Sequence, residues 1–311
     1  MGKVIKVESV NISAKKGIIK SPVNEIKLTD SGIVGDAHRG QWHRQVSMLG
    51  MESISKFSKE ASRRINFGEF AENITSSGME VFKAGVFDRF KNDRIELEVT
   101  QIGKKCHGSN CSIFKEVGNC VMPKEGIFLR VKKGGELFSG DQLNYNPKFF
   151  KIKVITVSDR ASTGIYEDRS GPKVAQLTED YFKENNRKSI IEREIVPDSP
   201  YQIEKSAKEA IRLNFDIIFT TGGTGIGPRD YTPEVVKSIL EKEIPGIMEM
   251  IRIKYGMDKS NALLSRSVAG TIGKTLIYTL PGSLKAVEEY LEEIFKTVNH
   301  SMLMLHGIGD H

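Results

Sequence analysis

Phe219-Thr220-Thr221-Gly222-Gly223-Thr224-Gly225-Ile226-Gly227-Pro228-Arg229-Asp230-Tyr231-Thr232-Pro233 is the stretch on which the fold turns. The apolar run Asp216-Ile217-Ile218-Phe219 leads into it, and a Pro-started helical pattern leaves it. Open α/β sheets bind ligands beyond the carboxyl ends of their strands. Glycines at such a place let backbone N–H groups approach phosphate oxygens. Thr221 and Thr224 add hydroxyl donors, Arg229 can neutralise phosphate, and Asp230 can hold a divalent ion or orient a hydroxyl. The plain alternative is a tight strand-to-helix loop whose glycines serve only sterics. Gly223-x-Gly225-x-Gly227 breaks the dinucleotide G-x-G-x-x-G spacing, and no Gly-Lys-Ser/Thr follows as in a P-loop.

The same grammar extends on both sides. Strands are expected at 153–157, 191–196, 216–221 and 275–280, and helices at 171–185, 200–213, 233–241 and 284–305. Strands alternating with helices predict an α/β three-layer domain with a mostly parallel sheet. Three further strand ends join the glycine loop on one edge: Ser158-Asp159-Arg160-Ala161-Ser162, Pro197-Asp198 and Pro281-Gly282-Ser283. Taken singly, Asp198 reads as a helix N-cap or turn residue. Two carboxylates, arginines, hydroxyls and glycines together read as a phosphate-and-metal site.

Before residue 150 the pattern differs. Val4-Ile5-Lys6-Val7-Glu8-Ser9-Val10-Asn11-Ile12 and Arg94-Ile95-Glu96-Leu97-Glu98-Val99 alternate at period two, between turns such as Asp30-Ser31-Gly32 and Ser139-Gly140-Asp141. One helical candidate lies at 50–64. Many short strands with glycine turns predict a β-rich barrel or strongly bent sheet. With 311 residues the chain suits two domains. They are expected at 1–146 and 150–311, with a linker over 144–149.

Apolar residues make up 39% and charged residues 28%, with mean hydropathy −0.31. No apolar run approaches the ~20 residues of a membrane span. The start, Met1-Gly2-Lys3-Val4-Ile5-Lys6, has no hydrophobic signal region. Membrane protein, coiled coil, disordered tail and disulfide scaffold are excluded on this composition, and a cytoplasmic location is expected. Of 46 basic and 40 acidic residues, 24 and 17 fall in residues 1–150. A basic first half attracts anions. No basic run exceeds two residues, so a phosphorylated small molecule is expected rather than nucleic acid. The three cysteines, Cys106, Cys111 and Cys120, all lie within 15 residues. An odd number without a signal peptide argues for reduced thiols.

The second-half motifs resemble the molybdopterin adenylyltransferase family (the MogA/MoaB type and the G domains of gephyrin and plant counterparts). They are Ser158-Asp159-Arg160, Pro197-Asp198, Thr221-Gly222-Gly223-Thr224-Gly225 with Arg229-Asp230, Glu249, Arg252, Ser265-Arg266 and Pro281-Gly282-Ser283, in family order. The resemblance implies substrates ATP and molybdopterin, a need for Mg²⁺, and AMP transfer to the terminal phosphate of molybdopterin. It also implies two functional aspartates, catalytic and metal-holding, at Asp198 and Asp230, substrate contacts from the other motif residues, and a homo-oligomer, a trimer. Pyridoxal phosphate is not expected. A phosphate nucleophile needs no His or Ser base, which agrees with the absence of His between His107 and His300.

The first-half segments Gly35-Asp36-Ala37-His38-Arg39-Gly40, Glu69-Phe70-Ala71-Glu72-Asn73, Lys104-Lys105-Cys106-His107 and Gly140-Asp141 resemble the MOSC domain found in molybdenum cofactor sulfurases. That resemblance implies a β-rich barrel that carries sulfur or binds the cofactor through a cysteine. Cys106 follows two lysines, which favour thiolate. Cys111 and Cys120 leave the choice of cysteine open, as they leave open a zinc site and inert thiols. His38 and His43 flank Trp42 and read as a ligand pair or as ordinary surface and core histidines. Two halves of one pathway give the preferred reading, a cofactor-handling module fused to an adenylyltransferase. Non-catalytic cofactor carriage and sulfur transfer by the first half are the alternatives.

Overall fold

A computed structural model of the chain describes residues 2–105 and 121–309. It divides into two compact units between Lys148 and Phe149.

The first unit contains β1 Lys3–Ile12, β2 Ser21–Val23, β3 Glu25–Thr29, β4 Gly32–Ile33, β5 Val46–Gly50, β6 Ile74–Ser77, β7 Arg89–Lys91, β8 Glu96–Ile102, β9 Ile127–Lys133, β10 Gly135–Phe138 and β11 Gln142–Asn146. Helix α1, Met51–Glu60, follows β5, and the single turn α2, Met122–Glu125, precedes β9. The pairing runs β11-β7-β8-β9-β5-β6-β1, and β1 returns to β11 with Lys3 opposite Tyr145. Seven strands therefore close a barrel, which leaves the ring without free edges. β2 hangs on the far end of β1, and β10-β3-β4 form a separate small sheet. Alternation fills the interior with Ile5, Val7, Phe90, Leu97, Val99, Leu129 and Leu143. A bulge between Val7 and Ser9 then re-aims β1 and buries Ser9 and Asn11.

The alternating run from Arg94 begins as strand only at Glu96. The Asn92 side chain accepts the N–H groups of Arg94 and Ile95, both at 3.0 Å, and makes those residues a turn. The expected linker shrinks to Pro147-Lys148, because Asn144, Tyr145 and Asn146 pair with β7 and the next strand starts at Phe149.

The second unit contains β12 Phe149–Val157, the single turn α3 Asp159–Ser162, α4 Ser170–Glu184, β13 Lys188–Val196, α5 Pro200–Arg212, β14 Ile217–Thr221, α6 Thr232–Ile239, β15 Lys242–Glu243, α7 Pro245–Gly256, β16 Ala269–Ile272, β17 Thr275–Leu280 and α8 Leu284–Leu305. The sheet order is β13-β12-β14-β17-β16-β15. The first four strands are parallel, while β16 and β15 are added antiparallel. Ile155, Val157, Ile218 and Ile277 pack with Ile203 and Ala207 of α5 and Val236 of α6. On the other face, Phe150 meets Phe182 of α4, and Tyr181 stacks on Phe295 of α8 at 4.3 Å. Each fully buried aliphatic side chain here contributes ~1.5–3 kcal/mol before entropy is charged. Among the described residues no helix is long and apolar enough to cross a membrane.

Candidate active site

Parallel register gathers the four strand ends. Val157 lies opposite Val196, Thr156 opposite Thr221, and Thr221 opposite Leu280. Ser158, Pro197-Asp198, Gly222 and Pro281 therefore follow one another along one edge of the sheet.

The glycine loop is held from below. Gly222 has φ +104, and a Cβ there would lie 2.3 Å from the Val157 carbonyl oxygen. Only glycine takes that conformation at that approach. Gly223, at φ +61, would drive a Cβ to 2.5 Å from Thr232 Oγ1. The Thr221 hydroxyl donates to the Pro281 carbonyl at 3.0 Å, and Thr232 Oγ1 donates to Gly222 O at 2.9 Å. Thr221 and Thr224 are both buried. Arg266 clamps the loop, with Nε on Gly225 O and Nη2 on Asp230 O, both at 2.6 Å, and an ion pair to Glu234. Its guanidinium is thus committed to the loop. Asp230 Oδ2 accepts the Gly227 N–H at 2.7 Å, and a Cβ on Gly225 or Gly227 would meet that same oxygen.

Asp159 joins three loops. It exchanges backbone-to-carboxylate bonds with Asp198, and its Oδ2 accepts from Arg229 Nη1 at 2.8 Å. The helix after Asp198 is N-capped positionally by Ser199, whose side chain makes no cap bond. Ser158 and Ser283 are caps in fact, accepting from Ala161 N and Ala286 N at the starts of α3 and α8.

Two cavities open on this edge. One, about 400 Å³, is lined by Ser158, Arg160, Tyr166, Asp168, Thr221 and Gly282 among others. Arg160 lies over the Tyr166 ring at 5.2 Å. The second, about 590 Å³, is lined by Thr224, Asp230, Lys259, Ser265, Lys285 and Tyr290 among others. Gly222, Gly282 and Ser283 line both. Ser265 accepts from the Tyr290 hydroxyl at 2.8 Å, while Arg252 donates to the Ser267 carbonyl at 3.1 Å. Glu249 is exposed on α7 and lines neither cavity.

Asp168 escaped the sequence reading. It accepts from Thr156 Oγ1 at 2.8 Å and from the Gly171 N–H at 3.0 Å, which fixes the start of α4 beside the first cavity. Its position just ahead of Ser170-Gly171-Pro172 was the available signal, a helix-start acid. Lys259 and Lys285 carried no motif.

The first unit has its own cavity, about 390 Å³, with Lys16, His38, Trp42, Arg44, Asn73 and Lys104 in its lining. His38 stacks on Trp42 at 6.5 Å, and Arg44 lies over the same ring at 5.0 Å. Below it Lys20 and Asp36 form an ion pair with side chains 1% and 0% exposed. Asp36 also faces His38 Nδ1 at 3.2 Å and accepts from Asn73 Nδ2 at 3.0 Å. Burial raises the Asp36 carboxyl, but bonds from His38 and Lys20 outweigh it and hold it well below the usual carboxylate range. Burial pushes the Lys20 ammonium down and the Glu72 carboxyl up. Cys106, Cys111 and Cys120, the sulfur or metal candidates, lie outside the described residues. Among the described residues no group of three or more His, Cys, Asp or Glu is placed to hold a metal ion.

Comparison with known proteins follows this division. Residues 153–300 match the family described as a probable molybdopterin binding domain, and residues 35–144 match the MOSC domain. The chain is 38% identical over 157 residues to a molybdopterin adenylyltransferase of Helicobacter pylori, covering 50% of this chain and 88% of that protein. It is 41% identical over 153 residues to molybdenum cofactor biosynthesis protein B of Staphylococcus aureus, covering 48% and 88%. Against gephyrin of Dictyostelium discoideum it is 37% identical over 162 residues, half of this chain but only 22% of that longer protein. The chain belongs, through its second unit, to the MogA/MoaB family of molybdenum cofactor biosynthesis, with a MOSC domain in its first unit.

Proposed function

We propose that the second unit transfers AMP from ATP to the terminal phosphate of molybdopterin. The observation that carries this reading is the pair of cavities sharing Gly222, Gly282 and Ser283. Two anionic ligands, one per cavity, would meet at a wall of backbone. A terminal phosphate oxygen attacks the α-phosphorus, the bond from that phosphorus to the bridging oxygen breaks, and pyrophosphate leaves with the electron pair. No proton need move, and no side-chain base is required. Positioning and charge neutralisation then supply most of the rate. The glycine-loop amides and the first turn of α8 offer donors at the shared wall. Arg266 and Asp159 keep that wall in place.

Mg²⁺ suits the donor set as a substrate-borne ion. Asp198 and Asp230 each commit Oδ2 to a backbone N–H and keep Oδ1. A magnesium ion takes one or two carboxylates and completes its shell with phosphates and water. When bound, it would neutralise phosphate charge as a Lewis acid. Of the substrate contacts that the resemblance implies, those of Arg160, Gly222, Gly223, Thr224, Gly225, Ser265, Pro281, Gly282 and Ser283 stand in this proposal as cavity lining, that of Arg229 as part of the glycine loop, and that of Glu249 is left out because it lines neither cavity. Ser158, Asp159, Thr221 and Arg266 enter it as residues that shape the site, since their polar atoms bond the protein.

The test incubates the chain with molybdopterin, ATP and Mg²⁺ and follows mass and pyrophosphate. Adenylylated molybdopterin with equimolar pyrophosphate is expected. Tight molybdopterin binding without either product would establish the carrier reading instead.

For the first unit we infer that the cavity ringed by Lys16, Arg44 and Lys104 receives the same class of anionic, flat-ringed ligand. Trp42 is the chain's one tryptophan, so ligand entry should quench its fluorescence. Unchanged emission at saturating molybdopterin would remove this inference. The exposed Met250 and Ile253 of α7, with Met257 just after it, support reading the chain as a homo-oligomer, which light scattering measures.

A further inference from the structure

Helix α8 opens into the second cavity with its charges reversed from the usual preference. Its first turn contains no acidic residue and carries Lys285. The N-terminal end of a helix bears partial positive charge, so a cation there is disfavoured and an anion favoured. Lys259, which stands just ahead of the turn Ser260–Leu264, lines the same cavity. Lys259 and Lys285 line this cavity together, and the neighbouring Lys259 lowers the Lys285 pKa. Ammonium groups carry donors only, so neither can satisfy the other.

Carboxylates nearby are already used. Glu289 bonds Lys259 at 2.9 Å, and Glu288 bonds Lys173 at 2.5 Å. Among the described residues no carboxylate forms an ion pair with Lys285. Ordinary surface lysines would swing apart into water. Here two cations converge on a cavity whose other wall is Gly222, Gly223, Thr224 and Gly225. Both unfavourable placements, the like-charge pair and the cation at the helix start, are relieved by one kind of ligand, a compact polyanion.

We propose that Lys259 and Lys285 form a polyphosphate subsite, which holds the β- and γ-phosphates of the nucleotide and then the departing pyrophosphate. This rests on the AMP-transfer reading for the identity of the polyanion. When the bond from the α-phosphorus breaks, its electron pair stays on the pyrophosphate oxygen. The two ammonium groups meet that added charge, and Glu289 keeps Lys259 aimed at the cavity.

The test is titration of the full chain with pyrophosphate, with and without Mg²⁺, and with AMP as the control ligand. Lys259→Gln, Lys285→Gln and the double variant keep chain length and remove charge at exposed positions. Pyrophosphate should bind the unmodified chain, and the double variant should bind it at least about tenfold more weakly. AMP binding should stay within about twofold, because its phosphate belongs at the glycine loop. In turnover, KM for ATP should rise in the variants while KM for molybdopterin holds. Equal pyrophosphate affinity in the double variant, or none in the unmodified chain, overturns the subsite. Lysine-dependent pyrophosphate binding without any adenylylated product would keep the subsite and overturn AMP transfer instead.

Discussion

Asp159 and Asp198 hold each other by two reciprocal bonds, each backbone N–H donating to the other's carboxylate at 2.9 Å. One residue follows β12 and the other follows β13, so the pair ties adjacent strand ends together. The second oxygen of Asp159 reaches Arg229 in the glycine loop. One carboxylate thus fixes the relative position of three loops, and Asp198 keeps an oxygen for other work.

Asp159→Asn keeps an acceptor for Asp198 but weakens the bond to Arg229. AMP transfer is expected to fall about tenfold in kcat/KM, with little loss of stability for an exposed pair. Arg229→Gln should cost a similar amount, and the double variant little more than either, because both break one interaction. Additive losses would show that the two residues act separately.

Asp230→Asn is the clean test of the second aspartate, since an amide oxygen can still accept from Gly227 N–H. Turnover should drop by about 100-fold or more if the charge serves phosphate transfer. The melting midpoint should move by no more than about 2 °C. Near-normal turnover would remove Asp230 from the chemistry.

Gly222→Ala should cost at least about 2 kcal/mol, from left-handed backbone strain plus collision with Val157 O. Gly164→Ala is the control. Its φ is +74, but nothing lies within 4 Å of the added carbon, so about 1 kcal/mol is expected. Urea unfolding of both variants measures the difference, and equal costs would mean the loop shifts freely.

Asp36 gives a pH prediction with a definite sign. Its folded pKa lies below the unfolded value of about 3.9, so its stabilisation is complete at neutral pH. That contribution is lost as pH falls below about 4, where the unfolded chain takes the proton first. Glu72, with a raised carboxyl pKa, works against this trend. Asp36→Asn strands the buried Lys20 and should cost about 3–5 kcal/mol at pH 7. It should also flatten the acid limb of stability measured against pH. An unchanged acid limb would contradict the assignment.

We propose that the halves, 1–146 and 150–311, fold independently. Lys148 N–H donates to Asp88 Oδ1 at 2.8 Å, so fragments cut between Lys148 and Phe149 should melt more cooperatively than fragments cut at Asn146. Failure of both fragments to give a melting transition would refute independence.

The sequence carried the architecture because period and punctuation are local. Glycine-loop chemistry, the Pro-started helices and the alternating β1 run each announce themselves within about a dozen residues. β16 was missed for the same reason. Ala269-Gly270-Thr271-Ile272 is short and acquires strand character only by pairing with β17. Thr221, read as a phosphate donor, spends its hydroxyl on Pro281, sixty residues away in sequence.

What the sequence determined by itself was the alternation of the parallel strands with their helices, the edge of the sheet on which the motifs gather, and the family to which they belong. Local propensity and hydrophobic period are written in neighbouring residues, and parallel connections leave few ways to arrange them. What only the tertiary structure decided was the use of each polar atom. Arg266 clamps a loop, Asp159 ties two strand ends to the glycine loop, and Lys259 and Lys285 line one cavity. These roles depend on distances between residues remote in the chain, and no local pattern encodes them. A buried polar atom must find its partner wherever the fold brings one.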